Sequence, residues 1–117
     1  MLISVVTVCY NSADNILSAI NSVKLQRYQE IEHIFVDGGS CDDTVEIINS
    51  NSIIKRKIIS EKDYGIYDAI NKGIKVSKGE YILLLHSDDK LYDNNVIENM
   101  VHEIAKNSFP DILSGSV

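Results

Sequence analysis

The sequence predicts an α/β fold with a mainly parallel sheet and helices packed on both of its faces. Short apolar runs rich in β-branched residues alternate along the chain with segments whose apolar residues recur at helical spacing. No repeat, low-complexity tract or linker interrupts the 117 residues. Alternation of this kind is typical of parallel strands joined by helices. The length fits one domain, so we expect residues 1–117 to form a single Rossmann-like unit.

The first strand and helix are predicted near the N-terminus. Leu2–Val8 is rich in β-branched residues, which is typical of a strand buried on both faces. A helix over Ile16–Val23 follows, with apolar residues at helical spacing and with Asn11 or Ser12 as its predicted N-cap. The segment between strand and helix is therefore expected at the carboxyl end of the first strand.

The second strand, Ile31–Val36, stops at Asp37 and two glycines, which permit backbone angles that other residues avoid. Ser40 with Asp43 three residues later resembles a capping pair and predicts a helix that runs through Ile48. We interpret Asp42 and Asp43 as acidic residues favoured at the N-terminus of that helix.

The remaining elements repeat the alternation of strand and helix. Lysine and glycine at 78–79 are expected to end the third helix, and Pro110 is expected to end the fourth. A cap at Asn94 or Asn95 is predicted for the fourth helix. The predicted elements are strands at Lys57–Ser60 and Tyr81–Leu85, helices over Ile66–Val76 and through Ile97 to Ile104, and a fifth strand beginning at Ile112.

The charge of the chain excludes some classes of partner. The net charge is −6, which argues against non-specific binding of nucleic acid, since that needs clustered Lys and Arg. The two cysteines, Cys9 and Cys41, are too few for a disulfide framework, and we interpret them as reduced thiols of a cytoplasmic protein. No apolar run approaches the length of a membrane span, although peripheral association at the inner face of the cell membrane stays open.

Three polar clusters are predicted to share one rim of the sheet. Residues 7–11, 37–43 and 87–89 each follow a predicted strand. Parallel sheets bind ligands at the carboxyl ends of their strands, beside the point where the strand order reverses. We therefore expect a binding crevice at this rim.

Asp88 and Asp89 leave the most apolar strand of the chain side by side. Adjacent carboxylates at a strand end repel each other, and a hard cation such as Mg²⁺ or Mn²⁺ would relieve the repulsion. Such a cation completes its shell with water and substrate phosphates. The alternative is a solvated acidic turn with Lys90 as counter-charge. His86 just before them is open to a contact with metal or phosphate, or to a place in the core.

Asp37 also ends a strand, and its carboxylate is suited to accept the imide N–H of uracil or a donor of guanine. The alternative is a turn or N-cap aspartate. On the third helix, Asn71 is expected to hold a loop by bonding its backbone, and Gly73 is expected to let the helix approach the sheet. Tyr64 and Tyr67 are open to base stacking or to ordinary half-buried packing.

Four strings in order resemble the family 2 glycosyltransferases with the GT-A fold, above all bacterial members that build exopolysaccharide, capsule or O-antigen. The strings are VVTVCYNSADNILSAINSV, FVDGGSCDDT, EKDYGIYDAINKGI and GEYILLLHSDD. The resemblance covers the chain from Ile3 to about Met100. It implies the nucleotide-sugar-binding half of a transferase that uses Mg²⁺ or Mn²⁺ and a UDP-sugar donor.

The resemblance also implies roles for particular residues. Asp37 matches the aspartate that binds the base, Asp88 is placed toward the ribose and Asp89 on the metal. Lys62 is the only cation near the place where many relatives carry an arginine. The residues matched to the nucleotide pocket are Thr7, Tyr10 and Asn11, and Lys62 and Asn71 are expected to contribute to nucleotide binding as well.

Relatives of this kind run well past 200 residues, and their second half supplies the acceptor site and the catalytic base. We therefore expect the base to lie beyond Val117 and the chain to be truncated on its acceptor side. The implied reaction is an inverting transfer of a sugar to a hydroxyl of a saccharide or lipid-linked acceptor in cell-surface polysaccharide synthesis. A non-catalytic nucleotide-binding or assembly module, with homo-oligomer formation, is the main alternative. A nucleotidyltransferase ranks lower, since residues 11–14 are neither basic nor glycine-rich.

Overall fold

Five parallel strands form the centre of the computed structural model, which describes residues 1–51, 55–106 and 112–114. Every neighbouring pair in the sheet is parallel, and the strand order is β3-β2-β1-β4-β5. The predicted α/β class is therefore confirmed, with the fifth strand in place. The strands are β1 (Ile3–Cys9), β2 (Ile31–Asp37), β3 (Arg56–Ser60), β4 (Tyr81–Leu84) and β5 (Ile112–Ser114).

Four helices cover both faces of this sheet, as predicted. Apolar residues of α1, α2 and α4 pack on one face, where Phe35 and Leu83 are fully or almost fully buried. Of the described helices, the third is the one that packs on the other face, against Val6, Ile34 and Val36. The helices are α1 (Ile16–Lys24), α2 (Thr44–Asn51), α3 (Ile66–Val76) and α4 (Val96–Lys106). The predicted end at Pro110 lies outside the described residues.

The strand order reverses between β1 and β4. From β1 the chain proceeds to β2 and β3 on one side, and β4 returns to the opposite side of β1. Cys9 pairs with Asp37 in register, so β1 and β2 end level with each other. The segments that follow β1, β2 and β4 therefore meet at one rim, and a crevice is expected where the loops diverge.

Gly73 brings α3 close to the sheet. A Cβ atom at this position would lie 2.5 Å from Cγ1 of Val6 and 3.2 Å from Cγ2 of Val36. These distances leave no room for a side chain, so the predicted role of this glycine is confirmed. The backbone of α3 can therefore pack directly against the side chains of β1 and β2.

Three predicted side-chain caps of helices are wrong. The helix α1 begins at Ile16 with no side-chain cap, and the backbone oxygen of Ser12 instead accepts from the N–H groups of Asn15 and Ile16. At α2, Ser40 turns its hydroxyl to Asp37, and Asp42 accepts from the N–H of Thr44 at 3.1 Å. The hydroxyls of Ser12 and Ser40 serve contacts between loops, which a local pattern does not encode. At α4, Oδ1 of Asn95 has no hydrogen-bond partner among the described residues, and the N–H of Ile97 donates instead to Oε1 of Gln26 at 3.1 Å.

In the described part of the chain, no helix is long and apolar enough to cross a lipid bilayer.

Candidate functional site

A cleft of about 300 Å³ opens at the rim, between the end of β1 and the start of α3. One wall is formed by the end of β1, including Tyr10 and Ser12, and Ser87 after β4 adds a hydroxyl. The start of α3 forms the opposite wall with Asp63, Gly65 and Ile66. The cleft thus lies at the predicted switch point, with apolar sides and a few polar groups, which is typical of small-molecule sites.

A larger cleft of about 590 Å³ lies between α1 and the loop before α4. Its lining runs over Ser18–Leu25 and Lys90–Asn94, and it includes none of the residues that end β1 or β2. Because the carboxyl ends of the strands are where this fold binds ligands, we take the smaller cleft as the functional site.

Hydrogen bonds tie the loops of this rim together. Asn11 has a left-handed backbone (φ 48°), its N–H donates to Ser40 Oγ at 2.8 Å, and its side-chain oxygen accepts from the N–H of Cys41 at 2.8 Å. The hydroxyls of Ser12 and Ser87 lie 2.9 Å apart. These bonds join the loop after β1 to those after β2 and β4. Asn11 therefore shapes the site mainly by holding two loops in place.

Tyr10 was predicted to line the nucleotide pocket, and in the structure it lies in the cleft with more than half of its surface exposed. It is 59% exposed and lines the cleft. Its backbone N–H donates to Ser12 Oγ at 3.2 Å, which helps to fix the turn that carries the ring. An exposed aromatic face on a fixed turn is suited to stacking on a planar ligand.

Thr7 does not line the cleft, contrary to the prediction. It is 0% exposed, and its hydroxyl lies 2.7 Å from Nε2 of His33 on the neighbouring strand. The odd-numbered residues of β1 point into the layer under α1 and α2, and Thr7 follows that alternation. Its side chain is a core contact of β1 with β2.

Asp37 does not present its carboxylate to the cleft, which corrects its predicted contact with a base. The residue is 0% exposed. One oxygen accepts from the N–H groups of Gly39 (3.2 Å) and Ser40 (2.9 Å) and from the hydroxyl of Ser60 (2.8 Å). The other accepts from the hydroxyl of Ser40 and lies 3.7 Å from Cys9 Sγ. The turn-aspartate alternative describes this residue.

Cys9 is unreactive in this setting. Burial, together with the charge of Asp37, raises the pKa of its thiol to about 12. The thiol is therefore protonated at neutral pH and is no nucleophile.

Asp88 and Asp89 stand at the rim without partners. Asp88 is exposed and Asp89 half-buried, and within the described ranges neither carboxylate accepts a hydrogen bond or pairs with a cation. The N–H of Asp89 donates to the carbonyl of His86 at 3.0 Å, which closes a turn at this point. His86 itself is half-buried beside Val6 and Val8.

The loop after β3 is held by Lys72, where the sequence predicted Asn71. Lys72 Nζ donates to the carbonyl of Lys62 at 3.0 Å and lies 3.5 Å from Glu61 and 3.4 Å from Asp68. The side chains of Asn71 and Lys62 are exposed, and Asn71 makes no hydrogen bond among the described residues. Position 72, one residue further along α3, is the one whose side chain reaches back to the loop.

Asp63 and Gly65 belong to the same loop and were missed as site residues. The N–H of Tyr64 donates to Asp68 at 3.0 Å, which holds the pKa of Asp68 below its usual value. One oxygen of Asp63 accepts from the N–H of Gly65 at 3.3 Å. Its position in the loop that follows β3 was the available signal in the sequence, since Asp37 and Asp88 also lie at or after the carboxyl end of a strand.

The chain matches a family model and several curated proteins. The model of glycosyl transferase family 2 matches residues 4–115. An uncharacterized glycosyltransferase of Mycobacterium tuberculosis is 36% identical over 104 residues, which are 88% of this chain and 40% of that protein. The glycosyltransferase GlyG of Streptococcus pneumoniae serotype 4 is 34% identical over 118 residues, 98% of this chain and 38% of that one.

The fold is shared with solved glycosyltransferases. The crystal structure of S. aureus TarS 1-349 in complex with UDP-GlcNAc superposes with a TM-score of 0.81 and 27% identity, over 91% of this chain and 32% of that one. The chain thus spans less than half the length of these relatives. The predicted resemblance is confirmed, and the chain belongs to glycosyl transferase family 2, with the GT-A fold of its first half.

Proposed function

We propose that this chain binds the nucleotide-sugar donor of a glycosyltransferase, with a UDP-sugar as the ligand, in the cleft between the end of β1 and the start of α3. The observation that carries the proposal is that Ser87 lines this cleft and is followed directly by Asp88 and Asp89. The carboxylates of these two residues have no partner among the described residues. The exposed tyrosine in the cleft matches a base, and the carboxylates that follow Ser87 match a cation bound to a diphosphate. The complex of TarS with UDP-GlcNAc supports the choice of donor.

The residues at the end of β4 fit a divalent cation held jointly with a ligand. No group of three or more His, Cys, Asp or Glu in the described ranges holds a metal by itself. Asp89, with Asp88 beside it, offers the one or two carboxylates that Mg²⁺ or Mn²⁺ commonly takes from a protein when phosphates and water complete its shell. When bound, the cation supplies charge neutralisation for a departing diphosphate.

The side chains of the cleft have separate tasks in donor binding. Tyr10 supplies a face for the base, and the loop bonds of Asn11 and Ser12 keep that face fixed relative to Ser87. Fixed loops reduce the entropy that a ligand would otherwise lose on ordering them. Lys62 is exposed on the loop after β3 and is a candidate for contact with the donor phosphates.

The whole reaction that we propose is an inverting transfer of the sugar to a hydroxyl of a saccharide or lipid-linked acceptor. Cell-surface polysaccharide synthesis at the inner face of the cell membrane is the setting that the resemblance implies. The general base would deprotonate the acceptor hydroxyl. We assign no base to residues 1–117.

Calorimetry with UDP, in the presence and absence of Mn²⁺, tests the proposal. We expect binding that depends on Mn²⁺, and a loss of affinity of at least about tenfold in Asp89→Asn, because even changes behind the ligands of metal sites weaken them that much. Glu98→Gln is the matched control, since Glu98 is an exposed carboxylate on α4.

Equal affinity for UDP with and without Mn²⁺ would contradict the metal part of the proposal, and absence of UDP binding would contradict the donor part. Release of UDP from a UDP-sugar distinguishes a transferase from a binding or assembly module. Tight binding without any release, even with acceptors present, would favour the module.

A further inference from the structure

The main chain at position 38 leaves space that a carboxylate fills. A Cβ atom on Gly38 would lie 2.8 Å from Oδ2 of Asp63 and 3.3 Å from Cδ1 of Tyr10. A side chain at position 38 would therefore collide with the carboxylate. The absence of a side chain after Asp37 lets Asp63, from the loop after the neighbouring strand β3, approach the end of β2.

Asp63 carries the one carboxylate among the described residues that line the cleft. Its Oδ1 accepts from the N–H of Gly65, whereas Oδ2 has no hydrogen-bond partner in the described part of the chain. Lys72 and Asp68 hold the backbone of the same loop at the carbonyl of Lys62 and the N–H of Tyr64. Oδ1 of Asp63 is thus bound to the loop, whereas Oδ2 is free to accept a hydrogen bond.

The free oxygen lies beside an aromatic ring. Tyr10 borders both the cleft and the empty side-chain position of Gly38, and more than half of its surface is exposed. A planar ring stacked on Tyr10 would turn its edge toward the wall that Asp63 provides. Stacking on an aromatic side chain together with a hydrogen bond to the base edge is a general way to recognise an unpaired base.

We propose that Asp63, and not Asp37, is the carboxylate that binds the base of the donor nucleotide and selects uracil. The inference rests on the proposed function. Uracil presents one imide N–H, and Oδ2 of Asp63 accepts one hydrogen bond while Oδ1 remains with Gly65. Cytosine presents an unprotonated ring nitrogen at that place, which the carboxylate repels. Guanine presents two adjacent donors and is best matched by a carboxylate with both oxygens free.

Asp63→Asn is a matched test of this assignment. The carboxamide oxygen can keep the bond to Gly65, while the NH₂ group takes the place of Oδ2 and can donate to cytosine. We expect calorimetry with Mn²⁺ to show that the wild-type chain binds UDP at least about tenfold tighter than CDP. In Asp63→Asn the affinity for UDP should fall by about ten- to a hundredfold, and the ratio of UDP to CDP affinity should approach one.

Two further variants keep the test independent of folding. Gly38→Ala should lower the same ratio without removing the carboxylate, since its Cβ displaces Oδ2 of Asp63. Asp43→Asn removes an exposed carboxylate from the loop after β2 and should leave the ratio unchanged. A purely structural role for Asp63 would change the unfolding midpoint but would not alter the preference among bases.

The outcomes separate this inference from the proposed function. If the wild-type chain binds UDP and CDP equally, or if Asp63→Asn keeps the wild-type ratio, the assignment of Asp63 is overturned while donor binding stands. GDP bound as tightly as UDP would overturn the selection of uracil. Failure to bind any of the three nucleotides would overturn the proposed function and this inference with it.

Discussion

Replacing Asp37 by alanine should destabilise the chain, because its carboxylate accepts hydrogen bonds from several residues that shape the rim. It is fully buried and accepts from two backbone N–H groups, of Gly39 and Ser40, and from the hydroxyls of Ser40 and Ser60. Alanine removes the acceptor of all four donors. The two N–H groups cannot rotate toward other partners, whereas the two hydroxyls can.

The size of the effect follows from these donors. A hydrogen bond to a charged group is worth about 1.5–3 kcal/mol and an ordinary one about 1 kcal/mol. The donors are only partly buried, so water can reach some of them after the substitution. Counting about 1 kcal/mol for each N–H and about 0.5 kcal/mol for each hydroxyl gives a loss of about 3 kcal/mol in the free energy of unfolding.

Urea denaturation followed by circular dichroism measures this loss, with Asp43→Ala as control. Asp43 is an exposed carboxylate six residues away in the same loop, and its removal should change the free energy of unfolding by no more than about 0.5 kcal/mol. The reasoning would be refuted by an Asp37→Ala variant that unfolds like the wild type yet has lost its affinity for UDP. That result would make Asp37 a ligand contact.

Three further predictions concern the core and the thiols. Burial lowers the pKa of His33 to about 3, so the unfolded state binds one more proton than the folded state between about pH 3 and 6.5. The contribution of neutral His33 to the free energy of unfolding is complete above pH 6.5 and falls by up to about 1.4 kcal/mol per pH unit below it. Urea denaturation at pH 7, 6 and 5 should show this fall for the wild type and a much smaller one for His33→Gln. Gly73→Ala should lower the free energy of unfolding by about 1 kcal/mol, because crowding against Val6 costs about 1–3 kcal/mol and outweighs the better helix propensity of alanine. An unchanged unfolding midpoint would show that α3 can shift away from the sheet without cost. Cys41 is exposed and should react with a thiol reagent in the native chain, whereas Cys9 should react only on unfolding, and mass spectrometry after partial labelling distinguishes the two.

The sequence predicted the elements well because the apolar pattern is local. Every predicted strand and helix among the described residues is present, with ends shifted by one or two residues except at α2, which begins at Thr44 and ends at Asn51 instead of Ile48. The common rim followed from the parallel order alone, since all carboxyl ends of parallel strands lie on the same side. Neither inference needed to know which side chains meet.

Side-chain roles at the rim were predicted less well because they depend on contacts between distant segments. The partners of Asp37 include Ser60, which is 23 positions away on β3. Thr7 was expected at a pocket, but the alternation along β1 turns it toward His33. Lys72 took the place predicted for Asn71, since one position on a helix rotates a side chain by about 100°. A polar residue after a strand locates the rim, and its surroundings decide its task.

The acidic residues of the rim divide into two groups by what surrounds them. Asp37 has its acceptor positions filled by donors of the protein, so binding a ligand there would require breaking bonds that already stabilise the fold. Asp88, Asp89 and the outer oxygen of Asp63 have no such partners in the described ranges, so a cation or an N–H donor would meet no competing bond. The same difference explains why substitution of Asp37 should reduce stability, whereas substitution of Asp63 or Asp89 should reduce affinity and leave the fold intact.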